Sequence, residues 1–87
     1  MQKQYKLKNI VIHIIERLKK QDFLVYFRKI SILEISEKEV IFGVLSGFMK
    51  DNLEAKFYDE ILEATQNEEK SIEKISFKID ANIENPS

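Results

Sequence analysis

The sequence predicts an α+β domain in which a three-stranded sheet is covered by helices, with the element order α-α-β-β-α-β. Three observations carry this: an apolar stripe at helical spacing near the start, two β-rich runs joined by a short polar turn, and a second helical stripe followed by one more alternating run. At 87 residues, one domain is expected. A 44% hydrophobic share with six Phe and three Tyr supplies enough apolar surface for a core without staples.

The elements follow in order. Leu7, Val11, Ile14 and Leu18 share one helical stripe, while Lys8, Asn9, Glu16, Lys19 and Lys20 lie off it, which predicts a helix from about Lys6 to Lys20. Asp22 is placed to cap a short aromatic helix, Asp22 to Lys29, carrying Phe23, Tyr26 and Phe27. Ser31 to Ile35 and Val40 to Val44 flank the polar turn Ser36-Glu37-Lys38 as a β-hairpin, with Val40, Phe42 and Val44 on one face. Ser46 then caps a third and longest helix running to about Gln66, whose core arc is Met49, Leu53, Phe57, Ile61 and Ala64. After a polar break, Ile75, Phe77 and Ile79 alternate with Ser76, Lys78 and Asp80 as a third strand. Residues 1–80 are thus read as the domain. Residues 81–87, with the only proline, Pro86, are read as the start of a linker or tail.

Composition excludes several kinds of chemistry. Zero cysteines rule out a disulfide framework and a thiolate metal site, and they fit a reducing, cytoplasmic setting. The start carries three lysines but leads into a stretch broken by His13, Glu16 and Arg17, so neither a signal peptide nor a membrane span is predicted. His13 has no second ligand at useful spacing, and neither a metal nor a catalytic role is assigned to it. Gly43 to Gly47 links a strand to a helix but lacks the Lys-Ser/Thr of a P-loop and the full glycine pattern of a dinucleotide fold. Acids such as Asp59, Glu60 and Glu63 sit at solvated helical spacing with no partner set for acid–base work. The expectation is a binding module, not an enzyme, with no cofactor.

The net charge of −1 conceals a dipole: Met1 to Lys29 holds eight basic and two acidic residues, and Ile30 to Ser87 holds six and thirteen. Such a separation supports attraction to polyanions at one end or head-to-tail association between copies, both weakened by salt.

Two residues fall out of phase with their stripes. Phe48 points roughly opposite the core arc of the third helix, beside Asn52 and Ala55, which makes it a candidate docking anchor unless the short helix or the hairpin covers it. Ile12 lies about 120° from the centre of the first helix's stripe, a flank to be covered by the third strand, a second copy or a partner.

The stretch FLVYFRKISILEISEKEVIFGVLSGFMKDNLEAKFYDEI resembles the N-terminal domain of the bacterial replication initiator DnaA. That family's pattern is an aromatic pair on a short helix, a hairpin, then Phe-x-x-Asp/Glu-Trp-Leu-x-x-Lys-Tyr. Here the matching residues are Phe23 and Tyr26, then Phe48, Asp51, Leu53, Lys56 and Phe57, and the element order agrees over about residues 5 to 80. Where the family has Pro-Asn before the third helix this chain has Leu45-Ser46, which keeps a capping residue, and the usual Trp is Asn52, which removes apolar contact area. The ATPase and double-strand-reading modules of a full initiator have no counterpart in these 87 residues, which fits one domain of a longer initiator or a short relative.

The resemblance implies a KH-like fold that self-associates and recruits the replicative helicase and initiator regulators at an origin. Carried over by position, Phe48 becomes the helicase-contacting aromatic and Asp22 its acidic companion. Asn52 takes the tryptophan's place on that surface, and Leu7 takes the place of an aromatic that supports self-association in some members.

Two other readings stand beside it. Lys6, Lys8, Lys19 and Lys20, with Lys3, Arg17 and Tyr5 nearby, compose a candidate single-stranded nucleic-acid surface, although the Gly-x-x-Gly clamp of KH domains is missing. A small regulator that mimics the initiator domain is the other.

Overall fold

The computed structural model describes residues 2–19, 21 and 30–80, with side chains from Lys6 onward. Six elements are described: α1 (Gln2–Arg17), β1 (Ser31–Ile35), β2 (Glu39–Val44), α2 (Gly47–Lys56), α3 (Tyr58–Glu68) and β3 (Lys74–Ile79). They form the expected α+β domain with a three-stranded sheet. The predicted short helix Asp22 to Lys29, the side chain of Tyr5, and the tail 81–87 lie outside the described residues.

The sheet order is β1-β2-β3, with β1 antiparallel and β3 parallel to the central β2. Ser36 closes the hairpin: its amide donates to the Glu39 carbonyl at 2.9 Å, and its Oγ accepts from the Glu39 amide at 3.2 Å. A bulge between Ile32 and Glu34 resets the alternation, so Ile32 opposite Phe42 and Ile35 opposite Val40 both serve the core side. Val40, Phe42 and Val44 are fully buried, as their alternation predicts. The Phe42 and Phe77 rings stack at 5.6 Å between centroids, tying β2 to β3.

The third predicted helix is in fact two. Phe57, with φ −124° and ψ 8°, interrupts the helical backbone and separates α2 from α3. Hydrogen bonds still run from the Phe57 amide to the Leu53 carbonyl at 3.2 Å and from the Ile61 amide to the Phe57 carbonyl at 2.9 Å, so the junction bends the path without exposing it. All five predicted core residues of this stretch, Met49, Leu53, Phe57, Ile61 and Ala64, are buried. The bend lets α2 lie on β3 and β2 while α3 packs chiefly on α1.

In α1 the core residues are Ile10 and Ile14, with Leu7 and Leu18 partly buried at the edge. The buried stripe is therefore rotated from the predicted 7-11-14-18 line, and the helix ends at Arg17, short of Lys20. Pairs across the seam run antiparallel: Lys6 Nζ to Glu69 Oε2 at 2.6 Å, Asn9 Nδ2 to Glu68 Oε2 at 3.1 Å, and Arg17 Nε to Glu63 Oε1 at 3.6 Å. β3 does not cover Ile12, because it occupies the sheet edge opposite β1 while α1 packs on α3 and β1. No helix among the described residues is long and apolar enough to cross a membrane.

Candidate functional site

The start of α2 is built by Ser46. Its backbone is extended, with φ −151° and ψ 164°, and its Oγ accepts from the Met49 amide at 3.3 Å, satisfying one of the free donors of the first turn. The Ser46 carbonyl accepts the first helical bond, from Lys50, at 3.0 Å. Phe48, in that first turn, faces away from the core that Met49 and Leu53 enter, and is 63% exposed. Asn52, half-buried one turn later, donates from Nδ2 to the Phe48 carbonyl at 2.8 Å. A hydrogen-bonded turn thus fixes the backbone that presents the ring.

Near the preceding residue, Gly47, lies an apolar residue that the sequence reading places only in the alternation of the third strand. Ile79, the last residue of β3, is 55% exposed, and its Cδ1 is 3.8 Å from where a side chain on Gly47 would begin. Register explains the position: Ile79 pairs with Val44 at the end of β2, and the Asp80 amide bonds the Val44 carbonyl at 2.7 Å, so β3 ends level with the start of α2. The alternation of β3 gave Ile79 the same side as Ile75 and Phe77. What it could not show is that the helical cover stops one residue short.

The other candidates divide. Ile12 is 46% exposed, and Ile15, which sequence reasoning missed, is 50% exposed on the same side of α1. Leu7 is half-buried and packs against the core cluster. Of the basic residues, Lys6 is engaged by Glu69, which caps the end of α3, and Arg17 by Glu63 within it, whereas Lys8 and Lys19 are exposed. Asp22 and Lys20 lie outside the described residues. The structure therefore sets α2, with Phe48 and Asn52, against β3, which carries Ile79, while α1, with Ile12 and Ile15, packs on α3 and β1. His13 Nδ1 is 3.7 Å from Glu16 Oε1, and among the described residues no group of three or more His, Asp or Glu is arranged to hold a metal.

This geometry suits contact with another macromolecule: a rigid turn offers one aromatic ring and one aliphatic side chain, with polar residues around them. A comparison with curated protein sequences gives no match. The family model for the DnaA N-terminal domain matches residues 8–67, taking in α1 from Lys8 onward, the hairpin, α2 and nearly all of α3, which is more than half of the chain. This chain accordingly belongs to the DnaA N-terminal domain family, a module of bacterial replication initiators.

Proposed function

We propose that this domain acts in replication initiation by docking other proteins, with Phe48 as the anchor that recruits the replicative helicase and initiator regulators, and that copies of it also self-associate. It works by binding alone in the cytoplasm, without a cofactor or a membrane attachment. The observation that supports this reading is the exposed Phe48 ring on a turn held by the Ser46 cap and the Asn52 bond. Aromatic side chains that a partner desolvates supply much of the energy of small, fast-exchanging interfaces, about 2 kcal/mol or more for a central one. Ile79 extends the apolar area, and Asn52 holds the backbone where the family has its tryptophan.

Titrating helicase against Phe48→Ala by calorimetry tests the assignment. Affinity is expected to fall by roughly tenfold or more, with little change in the melting temperature because the ring is largely outside the core. Unchanged affinity with an intact fold removes Phe48 as the anchor. The single-stranded nucleic-acid reading is weaker, because Lys6 and Arg17 already pair with acids of α3 and the end of that helix. A salt titration of oligonucleotide binding, in which phosphate neutralisation gives a clear negative slope, separates the two.

A further inference from the structure

We propose that the free edge of β3 accepts one more strand, an extended segment of a partner protein in which apolar and acidic residues alternate. The hydrogen bonds around β3 fix which way its backbone groups point. The amides of Lys74 and Asp80 donate to the Lys38 and Val44 carbonyls at 3.1 and 2.7 Å, so the even-numbered residues turn their amides toward β2. The Ile75 amide turns the other way and donates to Tyr58 Oη at 3.3 Å. Directions alternate along a strand, and the carbonyl of each residue lies on the same side as its amide. Phe77 and Ile79 therefore present a donor and an acceptor each away from β2, spaced about 6.6 Å apart. Among the described residues β3 is the last strand on that side, and no hydrogen bond reaches either residue there. Evenly spaced donors and acceptors of this kind are matched by an extended backbone.

The two edges of the sheet are not equivalent. β1 carries the bulge between Ile32 and Glu34, which breaks the even spacing that an added strand needs. β3 keeps unbroken register with β2 from Lys74 to Ile79 and contains no proline. Tyr58 closes the Ile75 end of this edge. Ile75 and Phe77 are buried, whereas Ile79 is 55% exposed, so the added strand enters at Ile79 and is short.

Side chains at the Ile79 end set the composition of the incoming segment. On the helix side, Ile79 Cδ1 is 3.8 Å from where a side chain on Gly47 would begin, and an apolar residue opposite Ile79 extends that contact. On the other face Lys78 is exposed, and its neighbour on β2 is Gly43, which offers no side chain. Lys78 is in no ion pair among the described residues. A lysine on an edge discourages pairing with most strands and favours an acid directly opposite. The edge thus selects an acidic strand, and it adds backbone pairing beside the start of α2 whichever protein docks on Phe48.

Amide hydrogen exchange on the isotope-labelled 87-residue chain, read by NMR, tests this with a short synthetic peptide of alternating valine and glutamate. In the free domain the Ile79 amide should exchange faster than those of Lys78 and Asp80, and an Ile79 amide already protected there would overturn the proposal, since the edge would be taken. Peptide added up to roughly 1 mM should slow exchange at Ile79 and Phe77, and no slowing would overturn it as well. Ile79→Pro removes the outward donor while leaving the bonds of Lys78 and Asp80 to β2, so it should abolish peptide binding in a domain that circular dichroism shows to be folded. Ile79→Ala keeps the donor and should bind only several-fold more weakly. Native-like binding by Ile79→Pro overturns strand pairing. Lys78→Glu should lose several-fold in affinity for this peptide and gain it for one of alternating valine and lysine, and an unchanged preference overturns the acidic composition. None of these changes alters Phe48, whose role stands or falls on its own test.

Discussion

Gly43 shows how closely β1 and β2 approach on the face of the sheet away from the Phe42 core. A methyl group there would sit 2.7 Å from Ser31 Oγ and 3.1 Å from two carbons of Leu33. Gly43→Ala is therefore expected to cost about 1–3 kcal/mol, as overpacking of a tight site does. The Ser31 hydroxyl is itself buried, with no hydrogen-bond partner among the described residues. Ser31→Ala should accordingly be neutral or stabilising by up to about 1 kcal/mol, because it removes a desolvated polar atom that gains nothing in return. It also removes the nearer clash, so Gly43→Ala should cost less in the Ser31→Ala background, with a coupling of about 0.5 kcal/mol or more. Urea unfolding of the native chain, both single variants and the double variant measures this, and equal costs in the two backgrounds would show that Leu33 alone sets the limit.

At the level of elements, the Ser46 cap links stability to docking. Ser46→Ala removes the side-chain bond to the Met49 amide and should cost about 1 kcal/mol, a fall of several degrees in Tm. Because Phe48 lies in the same turn, helicase affinity should fall in this variant too, whereas Ser46→Asp should restore both; restored stability without restored affinity would separate the cap from the docking surface. Which elements could be read from the sequence depended on how many arrangements its pattern allowed. The hairpin and β3 were legible because period-two alternation leaves one register that buries Val40, Phe42 and Val44 together with Ile75 and Phe77. The α1 stripe is legible in Ile14, Leu7 and Leu18 but not in Ile10, because Ile10, Val11, Ile12, Ile14 and Ile15 supply apolar residues in almost every direction, and only the position of α3 decides that Ile10 goes inward beside Ile14. The bend at Phe57 left no mark on the core arc, since Met49, Leu53, Phe57, Ile61 and Ala64 keep helical spacing through it. Charge did mark it: Lys56 ends one helix, and Asp59 and Glu60 begin the next, as separate helix dipoles favour. Phe48 was legible because an aromatic opposite a complete core arc has few places to go, while Ile79 was not, because its exposure depends on where α2 begins.

For the molecule as a whole, the decisive question is where the cooperative unit ends. The family match stops at residue 67, within α3, yet the sheet is incomplete there. β3 contributes Ile75 and Phe77 to the core, and its residues 74–79 each pair with a residue of the central strand β2. The segment before it is tied back as well: the amides of Glu73 and Lys74 donate to the Lys38 carbonyl at 2.7 and 3.1 Å, Ser71 Oγ donates to the Glu37 carbonyl at 2.7 Å, and the Ile75 amide donates to Tyr58 Oη at 3.3 Å. Without β3 the remainder is a two-stranded hairpin under helices, with Phe42 stripped of its stacked ring. A hairpin of that kind is marginal, and a domain this small has only about 4–12 kcal/mol of net stability to lose. Uncovering Phe42 and deleting two buried apolar side chains removes an amount of the same order, at roughly 2–5 kcal/mol for each large residue. A chain ending at Asp80 should therefore melt cooperatively with a Tm close to that of the full sequence, since the Asp80 amide still closes onto the Val44 carbonyl. A chain ending at Glu73 should lack a cooperative transition. Thermal melts followed by circular dichroism at matched concentration compare the two, and a sharp transition in the shorter chain would mean that the hairpin and helices form a core by themselves, with β3 an addition to it and not its completion.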